Sequence, residues 1–293
     1  MSEAAKFCWV VELGLIAYAP ACDLQQRLVA ARKAGALPDV LLFCEHPHTI
    51  TLGRNGKREH LRVSEHLLAQ KNVEFYESDR GGDITYHGPG QIVGYPILDL
   101  AEHQRDVRRY VEQLEETMIR ATGDFGMSAR RSEAGHGAWI DALAKRGAEE
   151  EHSRTSGAEA LNEEALLSPR LKPRPTKIST PSADDVAGEE KLAAVGVHLS
   201  RWVTSHGFAY NVSTDLRYFD LIVPCGIEGK RATSLERLLG RAVSSEEVRA
   251  RLTKRFGEVF GREMVSVSLM ELEERLGGAR QPEEVGAVKG LEG

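Results

Sequence analysis

The segment RGGDITYHGPGQ, residues 80–91, is the densest cluster of chemically informative residues in the chain. Five of its twelve positions are glycine or proline, so its backbone N–H groups can approach a ligand closely. Arg80 adds a charge, and Thr85, Tyr86 and His87 offer directional hydrogen bonds. A glycine-rich surface hairpin is the alternative, because such residues are common in turns. The segment matches neither the Walker A nor the GxGxxG pattern and therefore does not favour a nucleotide site.

Short apolar runs on either side of this segment predict strands. The run VLLFC, residues 40–44, is suited to a strand that is covered on both faces. Pro96 restricts the strand at 92–97 to a sheet edge or to a strand end. Further strands are predicted at 50–52, 73–76, 191–199, 202–204 and 208–212.

Helices are predicted at 23–34, at 106–122 and from a capping box at 244–247 to Phe260. A glycine follows each of them, at 35, 123 and 261. In the second helix an apolar face is formed by Val107, Tyr110, Val111, Leu114, Met118 and Ile119. Because strands and helices alternate irregularly, we expect an α/β fold with mixed sheets, of α+β type, and exclude a Rossmann domain and a TIM barrel.

The composition is that of an ordinary globular protein, with 293 residues, 41% hydrophobic and 28% charged. A formal charge of −6 argues against a general nucleic-acid or anionic-membrane surface. No apolar stretch approaches the ~20 residues that span a bilayer, and the N-terminus lacks a signal-peptide core. Because the four cysteines form no CxxC pair, we expect reduced thiols and a cytoplasmic location.

One long segment interrupts the predicted elements. Residues 141–187 contain four of the 11 prolines and no aromatic residue, so we predict a flexible insertion there. We expect one catalytic domain at 5–270 that includes this insertion, and a frayed tail at 281–293.

Cys225 and Lys191 are the candidate catalytic residues. Cys225 lies in the turn Pro224-Cys225-Gly226 after an apolar run, and Lys191 opens the apolar stretch 192–197. A free thiol titrates near ~8.5, and a neighbouring ammonium favours the reactive thiolate. A buried cysteine that is unrelated to a surface lysine is the alternative, since the two are distant in sequence.

The remaining polar motifs are less specific. His206 precedes Gly207, Phe208 and Ala209 and could form a second wall of a site, although a structural histidine is the simpler interpretation. His46, His48, His60 and His66 lack a ligand spacing such as HExxH, so we predict no metal site.

Taken together, these motifs resemble the octanoyltransferases, the lipoyl(octanoyl) transferases of lipoate biosynthesis. The resemblance spans most of the chain and rests on LLFCEHP (41–47), TLGR (51–54), residues 80–97, GAWI (137–140), KLAAVG (191–196), SHGFAYNV (205–212), PCGI (224–227) and TSL (233–235). The family usually joins the GAWI and KLAAVG motifs by a much shorter link, so the insertion is unusual.

The resemblance implies a catalytic domain like those of the biotin and lipoate protein ligases. It implies transfer of an octanoyl group from octanoyl-acyl carrier protein to a lysine of lipoyl domains, without ATP or another cofactor. The acceptors would be 2-oxoacid dehydrogenase E2 subunits and the glycine cleavage H protein, with no nucleic-acid or membrane partner.

Carried over residue by residue, Cys225 would hold the acyl thioester and Lys191 would activate it. The substrate pocket would be lined by Arg80, Gly81, Gly82, Asp83, Ile84, Thr85, Tyr86, His87, Ala194, Val195, Gly196, Gly207, Phe208 and Ala209. Backbone N–H groups near Cys225 or at Gly81-Gly82 would stabilise the oxyanion.

Three alternatives remain open. An ATP-dependent lipoate or biotin ligase of the same fold would not require Cys225. A non-catalytic protein that binds acyl carrier or lipoyl domains would form no covalent adduct. A cysteine hydrolase would need water to outcompete the acceptor lysine.

Overall fold

A computed structural model describes residues 6–102, 105–141, 188–224 and 229–278. The predicted tail, Cys225 and all but the first residue of the predicted insertion lie outside the described residues. The strands are β1 (Phe7–Leu15), β2 (Asp39–Glu45), β3 (Thr49–Leu52), β4 (Glu74–Glu77), β5 (Ile84–His87), β6 (Gln91–Ile97), β7 (Ala129–Arg130), β8 (Gly137–Asp141), β9 (Glu189–Ser200), β10 (Val203–Asn211), β11 (Arg231–Ala232) and β12 (Glu263–Ser266). The α-helices are α1 (Tyr18–Lys33), α2 (Glu65–Gln70), α3 (Val107–Gly123), α4 (Leu235–Leu239), α5 (Ser245–Phe260) and α6 (Leu269–Gly278).

Two sheets organise the described residues. The larger has the order β12-β1-β2-β6-β10-β9-β8-β7, with β11 beside β9. Its pairs are antiparallel except at β12-β1, β1-β2 and β11-β9, which are parallel. The smaller sheet has the order β4-β3-β5. The fold is therefore mixed α/β, as predicted.

Strand β2 shows why its run is continuously apolar. Leu41 and Phe43 pack in a core with α3 and α5, whereas Leu42 and Cys44 pack in a second core with α1 and α6. Successive side chains of a strand point to opposite faces, so both faces of β2 are buried. The prediction of a doubly covered strand is confirmed.

The predicted starts of α3 and α5 and the predicted end of α5 are confirmed by their caps, whereas Gly123, predicted to follow the second helix, is the last residue of α3, which Asp124 caps. The Asp106 carboxylate accepts a hydrogen bond from Arg109 N (3.0 Å), and Ser244 Oγ accepts one from Glu247 N (3.4 Å). Gly261 ends α5 with φ of +62°. Val107, however, is 41% exposed and does not belong to the buried face of α3.

Several predicted boundaries are wrong. Trp202 was expected in a strand, but Arg201 and Trp202 have φ of +50° and +70° and form the two-residue turn between β9 and β10. Strand β10 is continuous from Val203 to Asn211, and α1 begins at Tyr18 rather than near residue 23. Pro96 lies near the end of β6, but β6 is a central strand between β2 and β10.

The C-terminal part of the described chain was not anticipated. Strand β12 pairs with β1, and α6 follows it. The expected domain end at residue 270 falls within α6, whose Leu272 is fully buried in the core beside α1. Throughout the described ranges, every helix is too short or too polar to cross a membrane. The same ranges hold no cluster of His, Cys, Asp and Glu that could hold a metal ion.

Candidate active site

A cavity of about 510 Å³ lies between the 80–87 segment and strands β9 and β10. Its volume is in the range of small-molecule sites. Of the residues predicted to line a pocket, it is lined by Arg80, Gly81, Gly82, Asp83, Ile84, Thr85, His87, Ala194, Val195, Gly196, Gly207, Phe208 and Ala209, and also by Lys191. The structure thus brings together three motifs that are up to about 130 positions apart along the chain.

Tyr86 is the exception among the predicted lining residues. Its ring is fully buried on the opposite side of β5, stacked on Tyr218 with centres 5.1 Å apart. Its hydroxyl group forms a 2.7 Å hydrogen bond with His48 Nδ1. Side chains alternate along a strand, so Thr85 and His87 line the cavity, whereas Tyr86 points to the opposite face of β5 and packs in the core of the smaller sheet.

Backbone hydrogen bonds hold the glycine-rich segment between the two sheets. Arg54 N donates to Arg80 O (3.0 Å), and Gly81 N donates to Val197 O (2.9 Å). A Cβ on Gly196 would lie 2.9 Å from Gly81 O, a separation that side chains essentially never show. The close approach of the segment to β9 therefore requires glycine at 196.

The side chain of Arg80 anchors this segment to strand β3. Its side chain is buried, and Nη2 donates to Thr51 O (2.7 Å) and Thr51 Oγ1 (2.9 Å). Nη1 donates to Gly81 O (3.1 Å). A planar guanidinium with several donors suits this arrangement better than a flexible ammonium. The charge that the sequence predicted for the site thus also anchors the glycine-rich segment.

His87 lines the cavity and is uncharged. Burial, followed by the nearby His46 and Arg80, lowers the pKa of His87 to about 3. Its Nδ1–H donates to Gln91 Oε1 (2.8 Å). Gln91 Nε2 donates to Asn211 Oδ1 (2.9 Å), which connects β5 to β10 through buried amides.

The same buried network reaches the strand of Lys191. Asn211 Nδ2 donates to Thr233 O (3.0 Å), and Thr233 N donates to Lys191 O (2.9 Å). Strand β11 pairs Ala232 with Lys191. The chain that follows Cys225 therefore returns directly alongside Lys191.

Lys191 extends over an aromatic face. Its Nζ lies 4.9 Å from the ring centre of Trp139, and Lys230 Nζ lies 5.6 Å from the same ring. Both distances are within the range of cation–π attraction. Trp139 is almost fully buried, and its Nε1 donates to Gly135 O (2.8 Å), so the ring provides a rigid platform for two ammonium groups.

Lys191 and Pro224 also line one small cavity of about 30 Å³. Pro224, the last described residue before Cys225, therefore borders the same small cavity as Lys191. The other three cysteines belong to the described residues and are unsuited to nucleophilic attack. Burial raises the pKa of the Cys22 thiol to about 11, and it raises the pKa values of Cys8 and Cys44 further.

Two charged groups that support the site were missed at the sequence level. Glu189 is buried; it accepts a hydrogen bond from Ser132 Oγ (2.6 Å) and pairs with Lys230 (3.5 Å) and Arg130. Glu115 on α3 is also buried and accepts from Gly137 N (3.0 Å) at the start of the Trp139 strand. A carboxylate within the apolar face of α3 is the signal that could have revealed Glu115.

Comparisons with known proteins show the family to which the chain belongs. The model of the lipoyl protein ligase A/B catalytic domain family matches residues 17–257. The chain is 43% identical over 258 residues to an octanoyltransferase of Solibacter usitatus, covering 88% of this chain and 95% of the relative. It is 42% identical over 253 residues to an octanoyltransferase of Koribacter versatilis, covering 86% of this chain and 83% of the relative.

Solved structures share the fold. A bipartite lipoate protein ligase from Thermoplasma acidophilum, described with its E2 lipoyl domain, has a TM-score of 0.61 at 14% identity and covers 93% of this chain and 91% of its own. Lipoate-protein ligase A bound with ATP has a TM-score of 0.58 at 16% identity, with coverage of 94% and 93%. This chain belongs to the lipoyl protein ligase A/B catalytic domain family and, within it, to the octanoyltransferases.

Proposed function

We propose that this octanoyltransferase moves the octanoyl group from octanoyl-acyl carrier protein to a lysine of a lipoyl domain through a thioester on Cys225. Lys191 is the residue that favours the thiolate and handles the proton. Lipoyl domains of 2-oxoacid dehydrogenase E2 subunits and the glycine cleavage H protein are the proposed acceptors. The description of the Thermoplasma ligase with its E2 lipoyl domain supports this class of acceptor.

The observation that carries the proposal is the position of Lys191 between two cavities. It lines the large cavity and also the small one that contains Pro224. An acyl chain in the large cavity would therefore begin at the point where the chain leads to Cys225. An ammonium at that point favours the thiolate by Coulomb attraction.

The two transfers balance without another reactant. In the first, the Cys225 thiolate attacks the thioester carbonyl, a new C–S bond forms, the C–S bond to the carrier breaks, and the carrier thiolate takes a proton from the Lys191 ammonium, which leaves Lys191 neutral. In the second, the acceptor amine attacks the acyl-cysteine, an amide forms, and the Cys225 thiolate leaves. A neutral Lys191 accepts the proton that the amine loses. Thioester exchange is nearly isoenergetic and the amide is more stable, so the sequence of steps needs no ATP.

The cavity suits an apolar acyl chain. Ala194, Gly196, Gly207 and Ala209 line it and leave room along β9 and β10. His87 is neutral, so it presents no full charge to the chain. An apolar chain gains about 0.8 kcal/mol per buried methylene in such a site.

The decisive experiment is intact-mass spectrometry of the full chain after incubation with octanoyl-acyl carrier protein. We expect one octanoyl adduct that peptide mapping assigns to Cys225. Cys225→Ser should form no thioester, and Cys22→Ser, the matched control, should be loaded as the wild type is. Unmodified Cys225, with activity surviving its replacement, would refute the mechanism, and ligation that then required ATP would favour the lipoate-ligase alternative.

Lys191→Ala tests the second catalytic role. A thiol with the ordinary pKa of about 8.5 is only about 3% ionised at pH 7, so loss of the ammonium should slow loading by up to roughly 30-fold there. At pH 9 the thiol ionises unaided and the defect should shrink. Equal slowing at both pH values would indicate a structural role for Lys191.

A further inference from the structure

The acyl cavity shares two of its lining side chains with a second open space. A groove of about 630 Å³ runs along α1, between this helix and residues 76–79, 198–200 and 205–206. Tyr18 and His206 line both the groove and the acyl cavity. These two residues, the end wall, therefore separate the two spaces.

The end wall is held by the residues that directly precede the glycine-rich segment. Tyr18 and Ser78 share a hydrogen bond of 2.9 Å between their hydroxyl oxygens. His206 Nε2 donates to the Asp79 carboxylate at 2.7 Å. Both end-wall side chains are less than a tenth exposed, whereas the side chain of Asp79 is 55% exposed on the groove side.

The backbone of His206 is held in an unfavourable conformation. Its φ is +56°, the left-handed region, which is uncommon for a residue with a side chain. Its N–H donates to Gln25 Oε1 (2.8 Å) on α1, and its side chain is directed to Asp79. Strain of this kind persists where the surroundings fix it, and it concentrates at functional sites.

The distance from Lys191 to the end wall fits one acyl length. A Cβ on Gly137 would lie 3.0 Å from Lys191 Cε, and Gly137 pairs with Ala194, so the ammonium end lies level with Ala194. His206 pairs with Val197. Three residues along a strand span about 10 Å, and an extended octanoyl chain with C–C bonds of about 1.5 Å is of similar length.

We propose that Tyr18 and His206 set the acyl-chain length by closing the cavity against the groove. This inference rests on the proposed octanoyl transfer. A chain longer by four carbons would have to displace the end wall. With the end wall removed, the extra methylenes would enter the groove, where Val29 and Tyr76 offer apolar surface.

Two substitutions remove the end wall in different ways. Glycine adopts φ of +56° without strain, so His206→Gly deletes the imidazole and imposes no backbone cost. Tyr18→Ala deletes the other side chain of the end wall. Tyr210→Phe is the control, because it removes a buried hydroxyl that bonds to Thr122 Oγ1 (2.8 Å) on the other face of β10.

The assay compares the rates at which octanoyl- and dodecanoyl-acyl carrier protein load Cys225, measured by intact mass on the full chain. Each buried methylene is worth roughly a factor of four, so opening the end wall should raise the dodecanoyl-to-octanoyl ratio at least about tenfold. The ratio is internal to each variant, and a general loss of folded protein cancels from it. The control should keep the wild-type ratio.

The outcomes separate this inference from the proposed function. A raised ratio in either end-wall variant supports the inference. Unchanged ratios in both variants, with octanoyl loading intact, overturn the inference and leave octanoyl transfer standing. If the wild type forms no octanoyl adduct at all, the proposed function fails and the inference fails with it.

Discussion

Lowering the pH from 7 to 5 is expected to destabilise the fold by about 2 kcal/mol through His87 alone. In the unfolded chain, an imidazole takes up its proton near its ordinary pKa of about 6.5. In the fold, burial, then His46 and Arg80, lower the pKa of His87 to about 3. Between these two values the unfolded state binds a proton that the folded state does not. Stability that is present above pH 6.5 is therefore lost as the pH falls through this window.

The size of this destabilisation follows from the number of pH units between the ordinary pKa of an imidazole and pH 5. One pKa unit corresponds to about 1.4 kcal/mol, and about 1.5 units separate the ordinary pKa of an imidazole from pH 5. The result is insensitive to the folded-state value, because any pKa below about 4 leaves His87 neutral at pH 5. Below pH 3 the folded state also takes up the proton, and the loss stops growing.

The assay is urea unfolding at pH 7, 6 and 5, followed by tryptophan fluorescence. His87→Gln retains a hydrogen-bonding side chain and cannot take up the proton, so its stability should depend less steeply on pH, by about one proton in this window. His66→Gln, at an exposed position on α2, is the control and should keep the wild-type slope. If His87→Gln and the wild type lose stability equally between pH 7 and 5, the reasoning about burial is refuted.

Two further predictions concern the cavity walls. Trp139→Leu should slow acyl loading at least about threefold more than Trp139→Phe, because only Phe retains an aromatic face for the lysine ammonium groups; equal rates would contradict the cation–π role. Gly207→Ala should lower the free energy of unfolding by about 1–3 kcal/mol, because its Cβ would lie 2.5 Å from Pro96 Cδ. Gly123→Ala, where a Cβ meets no atom within 4 Å, is the matched control, and a thermal melt that ranked the two variants equally would contradict the packing argument.

Local sequence rules were sufficient for some of the regular elements. Helices α3 and α5, capped by Asp106 and Ser244, begin within one residue of their predicted starts, and the apolar run of β2 is covered on both faces. These features depend on neighbours within a few positions or on the periodicity of one element. Strand β12 and helix α6 were not predicted, because the burial of their apolar residues depends on the pairing of β12 with β1.

For the candidate site, the sequence and the tertiary structure contribute different information. The motifs by themselves identify Lys191, Cys225 and the 80–87 segment as candidates, and their roles in substrate binding and catalysis stay predictions. Which of these residues face the cavity depends on how β5 is oriented between two layers, and this orientation directs Tyr86 away from the cavity.

The amino-acid sequence alone determined the class of fold, the family motifs and the identity of the candidate nucleophile and its lysine. Only the tertiary structure decided the partners of the buried charges, such as Glu189 with Lys230 and Asp79 with His206. Such pairs join residues that are 41 and 127 positions apart. Their formation depends on strand order and burial, which no local pattern specifies.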